Sequence, residues 1–288
     1  MNPEPGPDQR KPVTPQWLRP DGVSVGNWDY VRSGEIAKNY DQFLENDPLT
    51  LADGQLLRRY LPPVSDSPGT AANNDVPLVV DFGCGNGRSL IPLLERGYRG
   101  LGIDLSHPML TSFRQKCLAE DSGELHLVEA NLVELDAIAT NSADVGLCMF
   151  STLGMIQKRS NRRKFLSHVS RILKPGSPLI VHAHNLWFQL RSPAGVRTIV
   201  KQLWQSMLGK IELGDRVANY RGLRNVFIHS FRRRELIADL TTFGLLPRCW
   251  HSVLPGRTET VEGLPWFSSY STVGWVVVCD NRKPITSG

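Results

Sequence analysis

Residues 78–87 read Leu78-Val79-Val80-Asp81-Phe82-Gly83-Cys84-Gly85-Asn86-Gly87. Leu78 to Phe82 have the apolar pattern of a buried strand, with one acid near its end. Glycines at every second position then let the backbone turn with no Cβ in the way. A ligand can lie against the peptide planes there. Arg88 to Leu94 follow as a helix. Asp81 stands at the strand tip, where it would repel a pyrophosphate and suit a cationic or hydroxyl-rich ligand.

Two phosphate-binding readings are disfavoured by the spacing. A dinucleotide fold wants Gly-x-Gly-x-x-Gly, and the position of its third glycine is occupied by Arg88. A P-loop needs Gly-Lys-Ser/Thr after four spacers, which this turn lacks.

Outward from the turn, strands and helices alternate. Strands are predicted over 99–103, 125–129, 145–150 and 178–183, and helices over 89–96, after Ser106 and over 162–173. The rhythm implies an α/β fold with a doubly wound, mostly parallel sheet and covered faces. Asp104 ends the second strand, 21 residues after Gly83. A carboxylate there can accept both hydroxyl protons of a ribose, or it can complement the dipole of the helix that follows. Lys174-Pro175-Gly176 stops the helix before the fifth strand.

The Asp-x-Gly-x-Gly-x-Gly form resembles motif I of the class I S-adenosylmethionine-dependent methyltransferases, of the type 11/25 kind. Arg171 to Gly176 resemble the Leu-Lys-Pro-Gly-Gly turn of that family, with Ser177 in place of its last glycine. The resemblance covers 78–183. It implies a seven-stranded Rossmann-like sheet with an antiparallel last strand, and S-adenosyl-L-methionine as cofactor. The implied cofactor-binding residues are Asp81, Gly83, Cys84, Gly85, Gly87, Asp104, Leu105, Asn131, Leu132 and Phe150. Asn131 stands where the family often carries Asp at the third-strand tip. The family's Asn/Asp-Pro-Pro-Tyr/Phe amine-binding tetrapeptide is missing from the strand-four tip, Phe150-Ser151-Thr152-Leu153, which weakens a nucleobase-amine acceptor.

The other segments organise around this core. Six prolines (Pro3, Pro5, Pro7, Pro12, Pro15 and Pro20) mark residues 1–26 as a disordered tail. Residues 27–77 read as a helical cap and linker. One helix is capped by Ser33, with Ile36, Tyr40, Phe43 and Leu44 on one face; the next spans 51–61. Residues 78–288 form the main domain, with a lid insertion at about 186–224. A strand over 225–231, a helix over 234–243 and two strands over 247–253 and 274–280 complete the reading; the last two could pair antiparallel.

Transfer of a methyl group needs a base only if the nucleophile arrives protonated. His182 and His184 lie two apart on strand five and share a face. His184 is the candidate catalytic base; a hydrogen-bonded core histidine is the alternative for it, for His182 and for His229. Trp28 and Tyr30 are candidates to cover the cofactor, ahead of Tyr40.

The formal charge of +5 over 288 residues is modest. It fits solvated basic faces at 158–164 and 232–234 better than a nucleic-acid groove. The five cysteines have no metal-ligand spacing, so no metal is expected and a cytoplasmic location fits. No apolar run approaches the ~20 residues of a membrane span. The leading expectation is methyl transfer to an O or N atom of a small-molecule acceptor. The alternatives are an RNA acceptor, and a non-catalytic subunit that keeps the fold.

Overall fold

A computed structural model of the protein describes residues 18–45, 47–64, 76–120, 124–220, 223–263 and 270–282. Three helices come first: α1 (Val25–Val31), α2 (Gly34–Leu44) and α3 (Pro48–Tyr60). Alternation follows through β1 (Leu78–Phe82), α4 (Ile91–Leu94), β2 (Arg99–Asp104), α5 (His107–Glu120), β3 (Leu125–Glu129) and β4 (Val145–Cys148). Next come α6 (Thr152–Met155), α7 (Arg159–Ile172) and β5 (Pro178–His184). A 3-10 turn (Leu186–Arg191) leads into α8 (Pro193–Met207) and a hairpin of β6 (Asp215–Tyr220) and β7 (Leu223–His229). The remainder is α9 (Arg233–Thr242), β8 (Leu245–Val253), β9 (Thr260–Glu262) and β10 (Gly274–Asn281).

The main sheet has the order β3-β2-β1-β4-β5-β10-β8-β9. β1 pairs parallel with both β2 and β4, and β4 with β5. β10 runs antiparallel between β5 and β8, the predicted pairing of the last two long strands. The short β9 adds an eighth strand to the seven expected. The strand predicted over 225–231 is displaced more substantially. It is β7, and it pairs with β6 in a separate two-stranded ribbon. Local alternation reports that a segment is extended and not which sheet it joins.

Period-two packing divides the core. Val80, Phe82, Val181 and Val277 face α7 and α9, where Phe165, Leu166, Leu236 and Leu240 meet them. Val79, Ile180, Val276 and Val278 face the opposite layer, built from Leu56 and Leu57 of α3, Leu93 of α4 and Phe113 of α5. Strands buried on both faces therefore read as continuous apolar runs. Asp81 and His182 fall on the α3–α5 side, by the parity of Val79 and Ile180.

The N-terminal helices are held by caps and by α5. The Ser33 hydroxyl accepts the Ile36 N–H, as the cap reading predicts. Ile36, Tyr40 and Leu44 pack with Met109 of α5, whereas Phe43 is exposed rather than on the shared buried face. The tail ends earlier than expected. Gly22 accepts the Gln157 N–H at 2.7 Å, and the Ser24 hydroxyl caps α1. Residues 1–17 lie outside the described residues. Proline content read the segment as one unit and overlooked the cap at its end.

Candidate functional site

The carboxyl ends of β1, β2, β4 and β5 open onto a cavity of about 320 Å³. It sits where the strand order reverses between β1 and β4, the usual ligand crevice of a doubly wound sheet.

The glycine turn forms one wall. Gly83, Gly85 and Gly87 have φ of 81°, 54° and 90°, in the left-handed region. A Cβ on Gly83 would stand 2.4 Å from the Thr152 methyl, and one on Gly87 2.4 Å from the Phe113 ring. A Cβ on Gly85 would meet nothing within 4 Å, so its peptide faces open cavity. Gly87 corrects one expectation. It is buried against Phe113 and is not among the residues lining the cavity, so it shapes the turn from behind.

Asp104 braces the turn from β2. Its Oδ2 accepts the Gly85 N–H and its Oδ1 accepts the Ser106 N–H, each at 2.8 Å. Burial raises its pKa, and these backbone donors oppose the rise. Asp81 is only 2% exposed, and its Oδ1 is buried with no hydrogen-bond partner. Burial pushes its pKa up to about 7, against the pull of the Arg88 guanidinium. Arg88 itself lies over the Phe150 ring at 4.9 Å.

Cys84, Leu105, Asn131, Leu132 and Phe150 all line the same cavity, as do Gly83 and Gly85. The Asn131 amide donates to the Asp21 carbonyl at 3.0 Å, and its oxygen retains acceptor capacity. Phe150 and Ser151 hold φ of 53° and 62°. Two successive non-glycine residues in this region store ~1–2 kcal/mol each, and such strain gathers at functional sites. The Ser151 hydroxyl accepts the His184 N–H, which ties the tips of β4 and β5 together.

The two strand-five histidines do share a face, with rings 5.7 Å apart. His182 is fully buried against Asp53 of α3. His184 reaches the cavity. Burial, then His182 and Arg216, push its pKa down to about 3, so its ring is neutral and weakly basic. His229 is a core residue, with Nδ1 bonded to Asp215 at 2.7 Å and Nε2 to Glu235 at 2.9 Å. Burial presses its pKa down, but these two carboxylates hold it above the ordinary value. Glu212, Asp215 and His229 are close enough to share a cation, yet Glu212 already bonds Arg162, and both His229 nitrogens are engaged.

Of the N-terminal aromatics, Tyr30 and Tyr40 line the cavity, whereas Trp28 lies outside the lining and stacks with Arg32. The basic runs are solvated in part: Lys158, Arg159, Lys164, Arg232 and Arg234 are exposed, but several of the cations already have partners. Arg162 is fully buried and bonds Glu212, Arg159 and Arg163 pair with Asp239, and Arg233 lies over Trp250.

Several lining residues escaped the sequence reading: Asp21, Gly22, Met109, and Arg216, Ala218, Phe227 and Ile228 of the hairpin. One signal was available. Arg216 is half-buried and lines the cavity while its neighbour Val217 is exposed, a cation inward and an apolar side chain outward, the reverse of an ordinary half-buried strand.

The cavity fits a nucleoside that carries positive charge. An open-faced glycine peptide offers it a backbone surface, and an unpartnered buried carboxyl oxygen offers it an acceptor. Comparison with known proteins agrees. Residues 79–176 match the family model described as "Methyltransferase domain". YqeM, a Bacillus subtilis protein described as a methyltransferase, is 27% identical over 140 residues, 47% of this chain and 56% of that one. The cypemycin N-terminal methyltransferase of Streptomyces sp is 33% identical over 98 residues, 34% of this chain and 38% of that one. The matches thus span about half or less of these curated relatives.

Among solved structures, an S-adenosylmethionine-dependent methyltransferase from Methanosarcina mazei is 18% identical, with a TM-score of 0.55 over 73% of this chain and 94% of that one. The Burkholderia thailandensis 1,6-didemethyltoxoflavin-N1-methyltransferase, bound to 1,6-didemethyltoxoflavin and S-adenosylhomocysteine, is 16% identical. Its TM-score is 0.54 over 92% of this chain and 94% of that one. These likenesses establish the fold.

Proposed function

We propose that this chain, whose residues 79–176 are a class I S-adenosylmethionine-dependent methyltransferase domain, transfers a methyl group to an O or N atom of a small-molecule acceptor. One observation carries the reading. The open peptide of Gly85 and the unpartnered Oδ1 of Asp81 line the same cavity as His184. Donor and acceptor would therefore meet in one cavity.

S-adenosylmethionine, when bound, supplies an electrophilic methyl carried on a sulfonium. The residues in position to hold it are Asp81, Gly83, Cys84, Gly85, Asp104, Leu105, Asn131, Leu132 and Phe150. Asp81 gives a carboxylate to its cationic part, and Asp104 gives acceptor lone pairs to hydroxyls. Alignment of nucleophile and methyl can supply roughly 7–11 kcal/mol of barrier reduction. β6, within the segment read as a lid, and β7, largely beyond it, both contribute lining residues to the cavity.

His184 has a narrower role than a titrating base. Its neutral ring accepts a hydrogen bond from the acceptor's N–H or O–H and orients the lone pair. A His184→Ala variant should lose turnover and keep its affinity for S-adenosylhomocysteine. Wild-type turnover in that variant removes the role.

Two features favour a small molecule over RNA: a cavity of only about 320 Å³, and the intramolecular ion pairs that occupy Arg159, Arg162 and Arg163. Calorimetry with S-adenosylmethionine and S-adenosylhomocysteine comes first. Labelled-methyl transfer to a metabolite panel and to bulk tRNA comes second. Absence of cofactor uptake sinks the enzyme reading, and label in tRNA alone replaces the acceptor class.

A further inference from the structure

Among the described residues, Arg216 is the one cation of the β6–β7 hairpin that lines the cavity, and methyl transfer as proposed leaves it without a role. It belongs to β6, opposite Ile228 of β7. Ala218, two residues on, faces the same space, and exposed Val217 points away. The strand has thus turned its guanidinium inward and its valine outward.

That orientation has no internal explanation. Among the described residues no carboxylate lies within ion-pair distance of Arg216, and its Nε is buried with no hydrogen-bond partner. The fully buried Arg162 shows the contrast: it sits against Glu212 and Glu235, whereas Arg216 is half-buried with no such partner. A guanidinium out of water costs several kcal/mol unless an anion completes it. Burial alone lowers the Arg216 pKa, with no acid opposing the change.

We propose that Arg216 is a specificity residue that binds an anionic group, a carboxylate, on the methyl acceptor. The proposal rests on the methyltransferase reading. A planar guanidinium matches a carboxylate with two parallel hydrogen bonds. S-adenosylmethionine also carries a carboxylate, so its source has to be separated. The charges are already sorted along the cavity. Arg88 is the cation that acts on Asp81 at the glycine turn, while Arg216 acts on His184 at the β5 tip. Arg216 therefore belongs with the proposed acceptor end.

The same arrangement orients the acceptor. A carboxylate on Arg216 at one side and an N–H or O–H directed to His184 at the other fix two points of a small molecule. The acids of the wall, Asp81 and Asp104, belong to the tips of β1 and β2. They repel a carboxylate placed at the wrong end, which adds discrimination.

The test uses full-length protein saturated with S-adenosylhomocysteine. The probes are two acid–amide pairs: 4-hydroxybenzoate against 4-hydroxybenzamide, and anthranilate against 2-aminobenzamide. Calorimetry should show the acid of at least one pair bound roughly 10-fold or more tighter than its amide. In Arg216→Met that preference should vanish, and in Arg216→Lys it should persist in part. Arg216→Met should melt no lower than wild type, because it removes a half-buried charge with no acidic partner. The proposal is overturned if neither acid is preferred by the wild type, or if the preference survives in Arg216→Met. It is also overturned if Arg216→Met weakens S-adenosylhomocysteine itself, which assigns the guanidinium to the cofactor. Failure of the wild type to take up S-adenosylhomocysteine is a different result, and it removes the underlying methyltransferase reading.

Discussion

Asp104 at the end of β2 accepts the Gly85 amide of the turn after β1 at 2.8 Å. Its other oxygen takes the Ser106 N–H at the start of α5. One carboxylate therefore fixes the peptide that faces the cavity and the entry to the next helix. It was expected as a ribose ligand, and it is equally a brace for the loop.

This brace is testable with one atom. In Asp104→Asn the amide nitrogen must face either the Gly85 or the Ser106 N–H, and two donors then oppose each other. An unsatisfied buried donor costs ~1–3 kcal/mol. Thermal unfolding should fall, and affinity for S-adenosylhomocysteine should drop with it. A variant that loses affinity but melts like wild type would show that Asp104 serves the ligand alone.

Gly85 and Gly87 should separate binding from folding. Gly85→Ala places a methyl in open cavity at φ +54°, a conformational cost of ~1–2 kcal/mol. The protein should fold, and S-adenosylhomocysteine should bind roughly 10-fold or more weakly. Gly87→Ala drives a methyl to 2.4 Å from Phe113, whose ring is fully buried and cannot swing away. Overpacking adds ~1–3 kcal/mol to the backbone strain, so this variant should be destabilised first. Equal melting temperatures for the two variants would contradict the geometry.

The legible half of this site is local. Asp81, Gly83, Gly85 and Asp104 could be found because a strand, a turn and a helix within a few residues must each carry their own signal. Charge partners gave no such signal. Arg162 bonds Glu212, 50 residues on, and Arg159 bonds Asp239, 80 residues on. A composition reading sees a basic run and cannot see acids that arrive from another element. β6 fell inside the segment read as a lid, but β7 was missed as a cavity wall, since extended pattern does not name the sheet. Gly87 failed differently. Its positive φ was readable from the motif, but the ring behind it was not.

Asp81 should give the ligand-free protein a pH signature of definite sign. Its pKa is about 7 in the fold against 3.8 for the ordinary carboxyl. Over that window the folded state binds more protons than the unfolded state, so stability falls as pH rises. The full effect is roughly 4 kcal/mol. Asp81→Asn keeps the shape and removes the titration. Its stability should decline less than that of wild type between these pH values, and it should be the more stable of the two above pH 7. Cofactor affinity should rise with pH through this range in wild type only, because a cationic ligand favours the ionised carboxylate. Parallel stability curves for the two proteins would refute the assignment.

His229 should move stability in the same direction at the base of the hairpin, through a paired charge that is lost as pH rises rather than an unpaired one that forms. Its imidazolium bridges Asp215 of β6 and Glu235 of α9, with Arg162 of α7 beside Glu235. A histidine with a raised folded pKa contributes stability that is complete below its unfolded value near 6.5 and is lost as pH climbs through the folded value. Glu235→Ala leaves His229 and Arg162 short of one counter-charge in a buried site, which costs ~3–5 kcal/mol. Urea unfolding near pH 6 and pH 9 should show the larger deficit at the lower pH, where wild-type His229 is charged. The loss should also reach the acceptor, because Asp215 precedes Arg216 and its main-chain carbonyl receives the Gln202 amide. At a temperature where the variant stays folded, KM for the acceptor should rise while S-adenosylhomocysteine affinity holds. A pH-independent deficit would mean that Glu235 supports the hairpin by packing and that the charge on His229 is irrelevant to it.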